Sequence, residues 1–185
     1  MTRSDSVHIV PDARRVINKP FLPREEIYPD GSSRMQVVLE RILAMSERDI
    51  TATLVAVRAQ FDRRHRDLDA VLDQNFRNVA ARLGHPELLD EPHSTDRRHL
   101  IGAYFTHEYS IEAAALGNPS IVAAPDQADL GPGELRFVMS LRGVGEGHIS
   151  SIEFRSGIVT ADATVRLVAA SPFATTEQRT RHAFD

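Results

Sequence analysis

The stretch SLRGVGEGHISSIEFRSG, residues Ser140–Gly157, carries the clearest structural pattern in the chain. It holds four glycines, two arginines, two glutamates and one histidine. Apolar residues alternate with polar ones before the glycine-rich turn and continue after it: Phe137, Met139 and Leu141, then Ile149, Ile152 and Phe154. Alternation with a period of two, interrupted by turn-forming glycines, predicts a β-hairpin.

The glycines serve this predicted turn rather than a phosphate ligand. Their spacing matches neither G-x-G-x-x-G nor G-x-x-x-x-G-K-[ST], and they stand between two predicted strands instead of opening a helix. They allow the backbone of the turn unusual φ values. Because Ile149 and Ile152 break the strict alternation, the pattern also predicts a β-bulge near Ser150–Ser151.

Three polar residues, Arg142, Glu146 and His148, cluster at the tip of the predicted hairpin. Together they could bind sugar hydroxyls or a carboxylate. They could equally form a solvated turn with a surface ion pair, which contributes little energy. Spacing alone leaves both interpretations open.

The composition restricts the classes of function. The 185 residues suffice for one ordinary domain or two small ones with a hydrophobic core. Cysteine is absent, which excludes disulfides, a thiolate nucleophile and a Cys-based zinc site. The net charge is −4 with basic and acidic residues interspersed, so we expect no nucleic-acid partner. Without an apolar signal segment or a run near the ~18 residues of a membrane span, we expect a soluble cytoplasmic protein and no membrane partner.

The first part of the chain combines an extended arm with helices. Residues 1–33 contain four prolines that favour an extended conformation. Residues 35–45 fit both the helical and the strand period, and we favour a strand. Ser46 and Asp49 resemble a capping box, and the apolar residues that follow at helical spacing predict a helix over 47–63.

Two further helical segments follow. An apolar stripe over residues 68–83 predicts a helix that Gly84 and Pro86 end. A third helical segment is predicted from Ser94 or Thr95 to Asn118, with a break near Thr106.

Beyond Pro119 the apolar period changes to two. The segments SIVAAP, ELRFVMSLRGVG, HISSIEFRSGIV and ATVRLVA predict four short strands separated by turns. The predicted class is therefore α+β, helical first and antiparallel β afterwards. We divide the chain into an extended arm (1–33), a helical N-terminal extension (34–117), a β segment (118–170) and a frayed tail (171–185).

Other polar residues favour structural interpretations. His99 and His107 are eight residues apart, but no His-Glu-x-x-His motif accompanies them, so we predict no metal site. The segment 62–67, DRRHRD, suits an anion site or, as we favour, a helix end with intrahelical ion pairs. Glu108 and Glu112 have the spacing of one helical turn and are predicted to face water.

Three segments together resemble a known family: RRHRDL, LIGAYFTHEYSIEAAALGNPSIV and GELRFVMSLRGVGEGHISSIEFRSG. They are similar to the N-terminal part of glycoside hydrolase family 130, within its long-chain branch of β-1,2-mannoside phosphorylases and glycosidases. The resemblance covers about residues 14–165. It implies a five-bladed β-propeller of which residues 118–170 are the first blade, so the chain is expected to hold an incomplete propeller.

The resemblance also implies which residues bind substrate. In the family an Asn before Pro at the start of the first blade and an Arg at the end of its next strand contact mannose; the matching residues are Asn118 and Arg142. His148 and, less directly, Glu146 would lie at the same rim. Gly117 departs from the family, which has a bulky, usually aromatic residue there.

The expected function is that of an N-terminal fragment of a glycosidase or glycoside phosphorylase that cleaves β-mannosides. The family's general-acid aspartate lies in a motif that this sequence lacks, so we predict no catalytic residue here and expect the acid beyond the C-terminus. No cofactor is implied, and inorganic phosphate is the co-substrate of the complete enzyme. The expected partners are a β-mannoside oligosaccharide and either a second copy or another chain that supplies the remaining blades. The alternative is a non-catalytic carbohydrate-binding or assembly module.

Overall fold

The computed structural model describes residues 7–23, 27–83, 87–90 and 92–174. These residues form two compact units. Unit 1 comprises the described residues of Met1–Ile17 and Tyr109–Asp185, and unit 2 comprises those of Asn18–Glu108. Gly84, Pro86 and most of the predicted tail lie outside the described residues.

Five α-helices and six β-strands occur in the described part of the chain. The helices are α1 (Arg34–Leu43), α2 (Glu47–Phe61), α3 (Leu68–Leu83), α4 (Glu87–Asp90) and α5 (Thr95–Tyr104). The strands are β1 (Val16–Pro20), β2 (Thr106–Ser110), β3 (Ala115–Ala123), β4 (Leu135–Val144), β5 (Ser150–Val159) and β6 (Val165–Leu167). No described helix is long and apolar enough to cross a lipid bilayer.

Residues 35–45 are helical, so the strand predicted there is wrong. Ser33 accepts a hydrogen bond from the Gln36 backbone N–H, and the Gln36 side chain accepts one from the Ser33 N–H, which completes a capping box. The helix then buries Met35, Leu39 and Ile42 along one face, at helical spacing. A short apolar run fits both periods, and the cap decides between them.

The helix predicted over 47–63 is confirmed as α2, which a 3₁₀ turn at Asp62–Arg64 extends. The helix predicted over residues 68–83 is confirmed as α3. All five described helices contribute to the apolar core of unit 2, which consists of Met35, Leu39, Ile42, Ile50, Phe76, Val79, Ala80, Leu88, Leu100, Ile101 and Phe105. Close approach of α5 to α3 depends on Gly102, where an added Cβ would lie 1.9 Å from the Leu72 carbonyl oxygen.

The prediction of a third helical segment up to Asn118 is only partly correct, because α5 ends at Tyr104. The Thr106 hydroxyl donates to the Gly102 carbonyl oxygen at 2.8 Å, which satisfies one carbonyl of the last helical turn. The chain then enters β2, which pairs with β1 in a two-stranded sheet. Long-range strand pairing therefore overrides the helical pattern that the sequence suggests beyond Thr106.

The four strands predicted beyond Pro119 are confirmed, although the first already begins at Ala115. They form an antiparallel sheet in the order β3-β4-β5-β6 within unit 1. Residues 135–144 pair with residues 150–159 in unbroken register, so the bulge predicted at Ser150–Ser151 is wrong. The irregularity lies instead between Gly117 and Ser120 on β3.

The two faces of this sheet differ in burial. The packed face carries Phe137, Met139 and Leu141, which are each at least 94% buried. The exposed face carries Arg142, Ile152 and Phe154, because the register pairs Arg142 with Ile152 and Ser140 with Phe154. Ile152 and Phe154 therefore do not join the core, contrary to the simple alternating pattern.

Candidate functional site

A pocket of about 370 Å³ opens on the exposed face of the sheet. It is lined by residues of β3, β4 and β5: Asn118, Ser140, Leu141, Arg142, Ser150, Ser151 and Ile152. One guanidinium, one amide and the hydroxyls of Ser140 and Ser150 thus share a single concavity. Such a set of donors and acceptors suits a polyhydroxylated or anionic small ligand.

The irregularity in β3 places Asn118 at this pocket. Gly117 pairs with Arg142 and Ser120 pairs with Ser140, so Asn118 and Pro119 stand out of the ladder between them. Asn118 has φ of 52°, in the left-handed region that asparagine tolerates better than most residues. Although 24 positions apart in sequence, Asn118 and Arg142 therefore line the same pocket.

Arg142 lies exposed near the end of β4, where the Ser150 hydroxyl is its neighbour across the hairpin. The distance from Arg142 Nη2 to Ser150 Oγ is 3.3 Å. This bond leaves the other guanidinium N–H groups able to bind a ligand. The Ser151 Oγ is buried and has no hydrogen-bond partner among the described residues. The register pairs Ser151 with Gly143, so its hydroxyl lies on the packed face beside Glu153, and the Arg142 guanidinium is the group with unused donors in the pocket.

Glu146 and His148 are not among the residues that line this pocket. They belong to a 3₁₀ turn at the tip of the hairpin, Glu146–His148, in which Gly147 has φ of 58°. The Glu146 carboxylate accepts a hydrogen bond from the Ser110 backbone N–H at 3.0 Å. Gly145 allows this approach, since an added Cβ would lie 2.3 Å from the Ser110 carbonyl oxygen. Glu146 thus anchors the tip to β2, whereas His148 lies exposed on the turn.

Sequence reasoning missed a buried network of four charged side chains in unit 1, the charge quartet Arg15, Glu112, Glu153 and Arg155. Arg15 Nη1 bonds Glu112 and lies 2.7 Å from Glu153 Oε2, and Arg155 Nη2 lies 2.8 Å from Glu112 Oε1. Glu112 is fully buried, and its second oxygen accepts from the Asp12 N–H at 3.0 Å. Two arginines and two glutamates balance in charge, as buried ionic groups require.

The residues next to the quartet keep a second ion pair at the surface. The Arg14 guanidinium donates to both carboxylate oxygens of Asp12, at 2.9 and 2.8 Å. This bond holds the pKa of Asp12 below its usual value. The arm predicted over residues 1–33 is therefore tied down by charge near its middle, at residues 12–15.

The interpretation of Glu108 and Glu112 is wrong, and the DRRHRD segment lies at a helix end as predicted but without the predicted intrahelical ion pairs. Neither glutamate lies in a helix, and neither faces water freely: Glu108 bonds His65 and lies 2.8 Å from Arg64 Nη2. The DRRHRD segment therefore makes a long-range contact instead of intrahelical pairs. His99 is also buried, with its Nδ1 3.1 Å from Arg58 Nη2. Periodicity assigned Glu108 and Glu112 to the solvent face of a helix, whereas Glu108 lies in β2 and Glu112 in the turn that follows it.

Within the described ranges no three His, Asp or Glu side chains cluster as ligands of a metal ion would. Comparison of the chain with protein-family models, curated proteins and solved structures finds no match. The candidate site therefore rests on its own geometry: the Asn118–Arg142 pocket on the exposed sheet face, with the charge quartet on the packed face of β5.

Proposed function

We propose that this chain is the substrate-binding N-terminal part of an enzyme that cleaves β-mannosides, by phosphorolysis or hydrolysis. The proposal follows the family resemblance of the sequence. The observation that supports it best is that Asn118 and Arg142, which the resemblance singles out, line one pocket with Ser140 and Ser150. The bulge in β3 lies opposite the end of β4, and this places the two residues, which are distant in sequence, beside the same pocket.

The chemistry of the pocket suits a sugar. A guanidinium donates two parallel hydrogen bonds and can engage neighbouring hydroxyl oxygens, while an amide both donates and accepts. Hydroxyl groups on a pyranose do the same, so Asn118, Arg142 and the serines can satisfy them in pairs. The Ile152 side chain supplies an apolar wall beside these groups.

We further propose that the four-stranded sheet is one blade of a β-propeller. A blade is a four-stranded antiparallel sheet in chain order, and β3-β4-β5-β6 has that order. Blades pack face to face around an axis, so apolar side chains on both faces support the proposal. Ile121 on the packed side and Phe154 on the other are each at least 60% exposed.

Binding of β-1,2-mannobiose, measured by calorimetry or by amide chemical shifts, tests the sugar site. Arg142→Ala is expected to abolish binding. Arg166→Ala is the matched control, because the Arg166 side chain is 59% exposed and pairs with Glu134 at the surface. Absence of binding by the unaltered chain, or equal loss in both variants, would contradict the proposed site.

Turnover distinguishes binding from catalysis. Among the residues that line the pocket none is a carboxylate, so no general acid is available from that lining. We therefore expect the 185-residue chain to bind mannobiose without releasing mannose or mannose 1-phosphate in the presence of phosphate. Appreciable release would show that this chain contains its own acid.

A further inference from the structure

The outward face of α2 lacks the charges that a helix at the surface usually carries. Ile50 and Leu54 bury the opposite face of this helix in unit 2. A surface helix normally presents charged and polar side chains on the side away from its apolar stripe. In α2 all exposed side chains between Asp49 and Asp62 are uncharged: Thr51, Ala52, Val55, Ala56, Ala59 and Gln60. Val55, the largest apolar one, is 61% exposed.

Residues at heptad spacing form a straight seam along this outward face. The α2 seam consists of Arg48, Ala52, Val55, Ala59 and Asp62, at intervals of four, three, four and three residues. Residues at these intervals lie on one side of a helix and form the contact line of paired helices. Helical torsion angles continue to the end of the seam, since Asp62 has φ of −55° and ψ of −39°. The seam therefore has an uncharged middle and one charge at each end.

The charges at the two ends of α2 indicate how a partner helix is oriented. Arg48 and Asp49 are exposed at the beginning of the helix, and Asp62 and Arg63 are exposed at its end. If two copies of α2 lie antiparallel, Arg48 of one copy lies opposite Asp62 of the other. In the same arrangement Asp49 lies opposite Arg63. Parallel copies would instead place like charges together, and charge pairs of this kind set the orientation of paired helices.

No ion pair within the described residues involves Arg48, Asp62 or Arg63. Arg48 lies in the first turn of α2, and Asp62 is the residue that ends the helix. The helix macrodipole disfavours a positive charge at the first of these positions and a negative charge at the second. Both side chains are therefore unfavourable within their own helix, and a pair between copies would compensate for this.

We propose that α2 binds α2 of a second copy of this chain, antiparallel and about a twofold axis near Val55. Val55 lies midway between Arg48 and Asp62, so the axis brings both charged ends together at once. The contact is isologous, because each copy contributes the same seam. The two ends of the seam are about 21 Å apart at a rise of about 1.5 Å per residue. A helix pair of this length buries less than the about 1,200 Å² of a standard interface, so the dimer is weak and reversible.

This inference is independent of the proposed function. The α2 seam belongs to unit 2, whereas the residues that line the Asn118–Arg142 pocket belong to unit 1. Arg142→Ala is therefore expected to leave the dimer unchanged, and failure of sugar binding would not affect the proposed contact.

Sedimentation velocity of the full chain, from about 10 μM to about 1 mM, tests the dimer. The unaltered chain is expected to shift from monomer to dimer over this range. Val55→Glu places two carboxylates at the twofold axis and should weaken the dimer at least about tenfold. Ala81→Glu is the matched control, because it adds the same charge to an exposed position of α3 and should leave the dimer unchanged.

Exchange of the end charges identifies the partner residues. Arg48→Asp and Asp62→Arg should each weaken the dimer about tenfold, and the double variant should restore it. Each single change improves the match of α2 with its macrodipole, so loss of the dimer would not be caused by unfolding of the helix. Far-UV circular dichroism checks this directly.

Three results would overturn the inference. The first is a chain that stays monomeric over the whole concentration range. The second is a dimer that Val55→Glu leaves intact, which would assign the contact to another surface. The third is a double charge-exchange variant that dimerises no better than the single ones.

Discussion

Replacement of Glu112 by glutamine is expected to destabilise unit 1 by about 3–5 kcal/mol. The side chain is fully buried and accepts hydrogen bonds from Arg15, Arg155 and the Asp12 N–H. Glutamine is nearly isosteric, so the variant removes the charge without opening a cavity. Two buried guanidinium groups then share the single carboxylate of Glu153, which leaves one positive charge uncompensated. That cost is a large fraction of the ~5–15 kcal/mol that stabilises an ordinary domain.

Urea unfolding followed by far-UV circular dichroism measures this loss, and hydrogen exchange of the β5 amides assigns it to unit 1. The control is Glu134→Gln, which breaks the 2.6 Å pair with Arg166 at the surface and should cost at most about 1 kcal/mol. The double variant Glu112→Gln/Arg155→Gln restores charge balance and should lose less than the sum of its single variants. A Glu112→Gln loss no larger than that of Glu134→Gln would refute the reasoning.

Two further predictions concern unit 2. Gly102→Ala should lower the unfolding free energy of unit 2 by about 2–3 kcal/mol in thermal unfolding, because the new Cβ would lie 1.9 Å from the Leu72 carbonyl oxygen. The control is Gly117→Ala in unit 1, where no atom lies within 4 Å of the new Cβ, and it should be nearly neutral. Hydrogen bonds from the Ser94 hydroxyl and from Arg97 hold the pKa of Glu47 below its usual value. The ionised Glu47 side chain therefore stabilises the fold at pH values above its pKa in the unfolded chain. This stabilisation is lost as the pH falls through the pKa of Glu47 in the folded protein. The stability difference between wild type and Glu47→Gln should therefore be constant above about pH 5 and shrink in more acidic solution, and a difference independent of pH would contradict this assignment.

The sequence predicted elements whose signals are local and failed where distant residues decide. Strand alternation identified β3 to β6, and the Ser46 cap identified α2. For residues 35–45 the period was ambiguous, and the Ser33–Gln36 capping box carried the missing signal. Beyond Thr106 the secondary structure depends on the pairing of β2 with β1 and of β3 with β4. Periodicity over a short window does not reveal such long-range pairing.

The candidate site was likewise predictable only in part. The resemblance brought Asn118 and Arg142 to attention, and the structure adds the bulge that lets both line one pocket. Burial of Glu112 was not predictable from its spacing to Glu108, because the expected helical face does not exist. A glutamate within the apolar run IEAAAL was the available signal, since a charge in such a run needs a buried partner or solvent.

The charge quartet and the Asn118–Arg142 pocket are linked through the register of β5. A slip of one residue moves every side chain of a strand to the opposite face. In β5 the hydrophobic pattern favours the wrong face, because Ile152 and Phe154 lie in solvent while Glu153 and Arg155 are buried. Arg15 and Glu112 supply the partners that make this register stable.

The same register holds Ile152 and Phe154 beside Arg142 on the exposed face. A slipped strand would take both away from the pocket and leave the quartet without Glu153 and Arg155. Loss of charge balance on the packed face should therefore also weaken sugar binding on the other. In Glu112→Gln we expect mannobiose affinity to fall together with protection of the β5 amides from exchange, although Glu112 does not line the pocket. Full affinity in a variant whose β5 amides exchange freely would separate the two faces and refute the link.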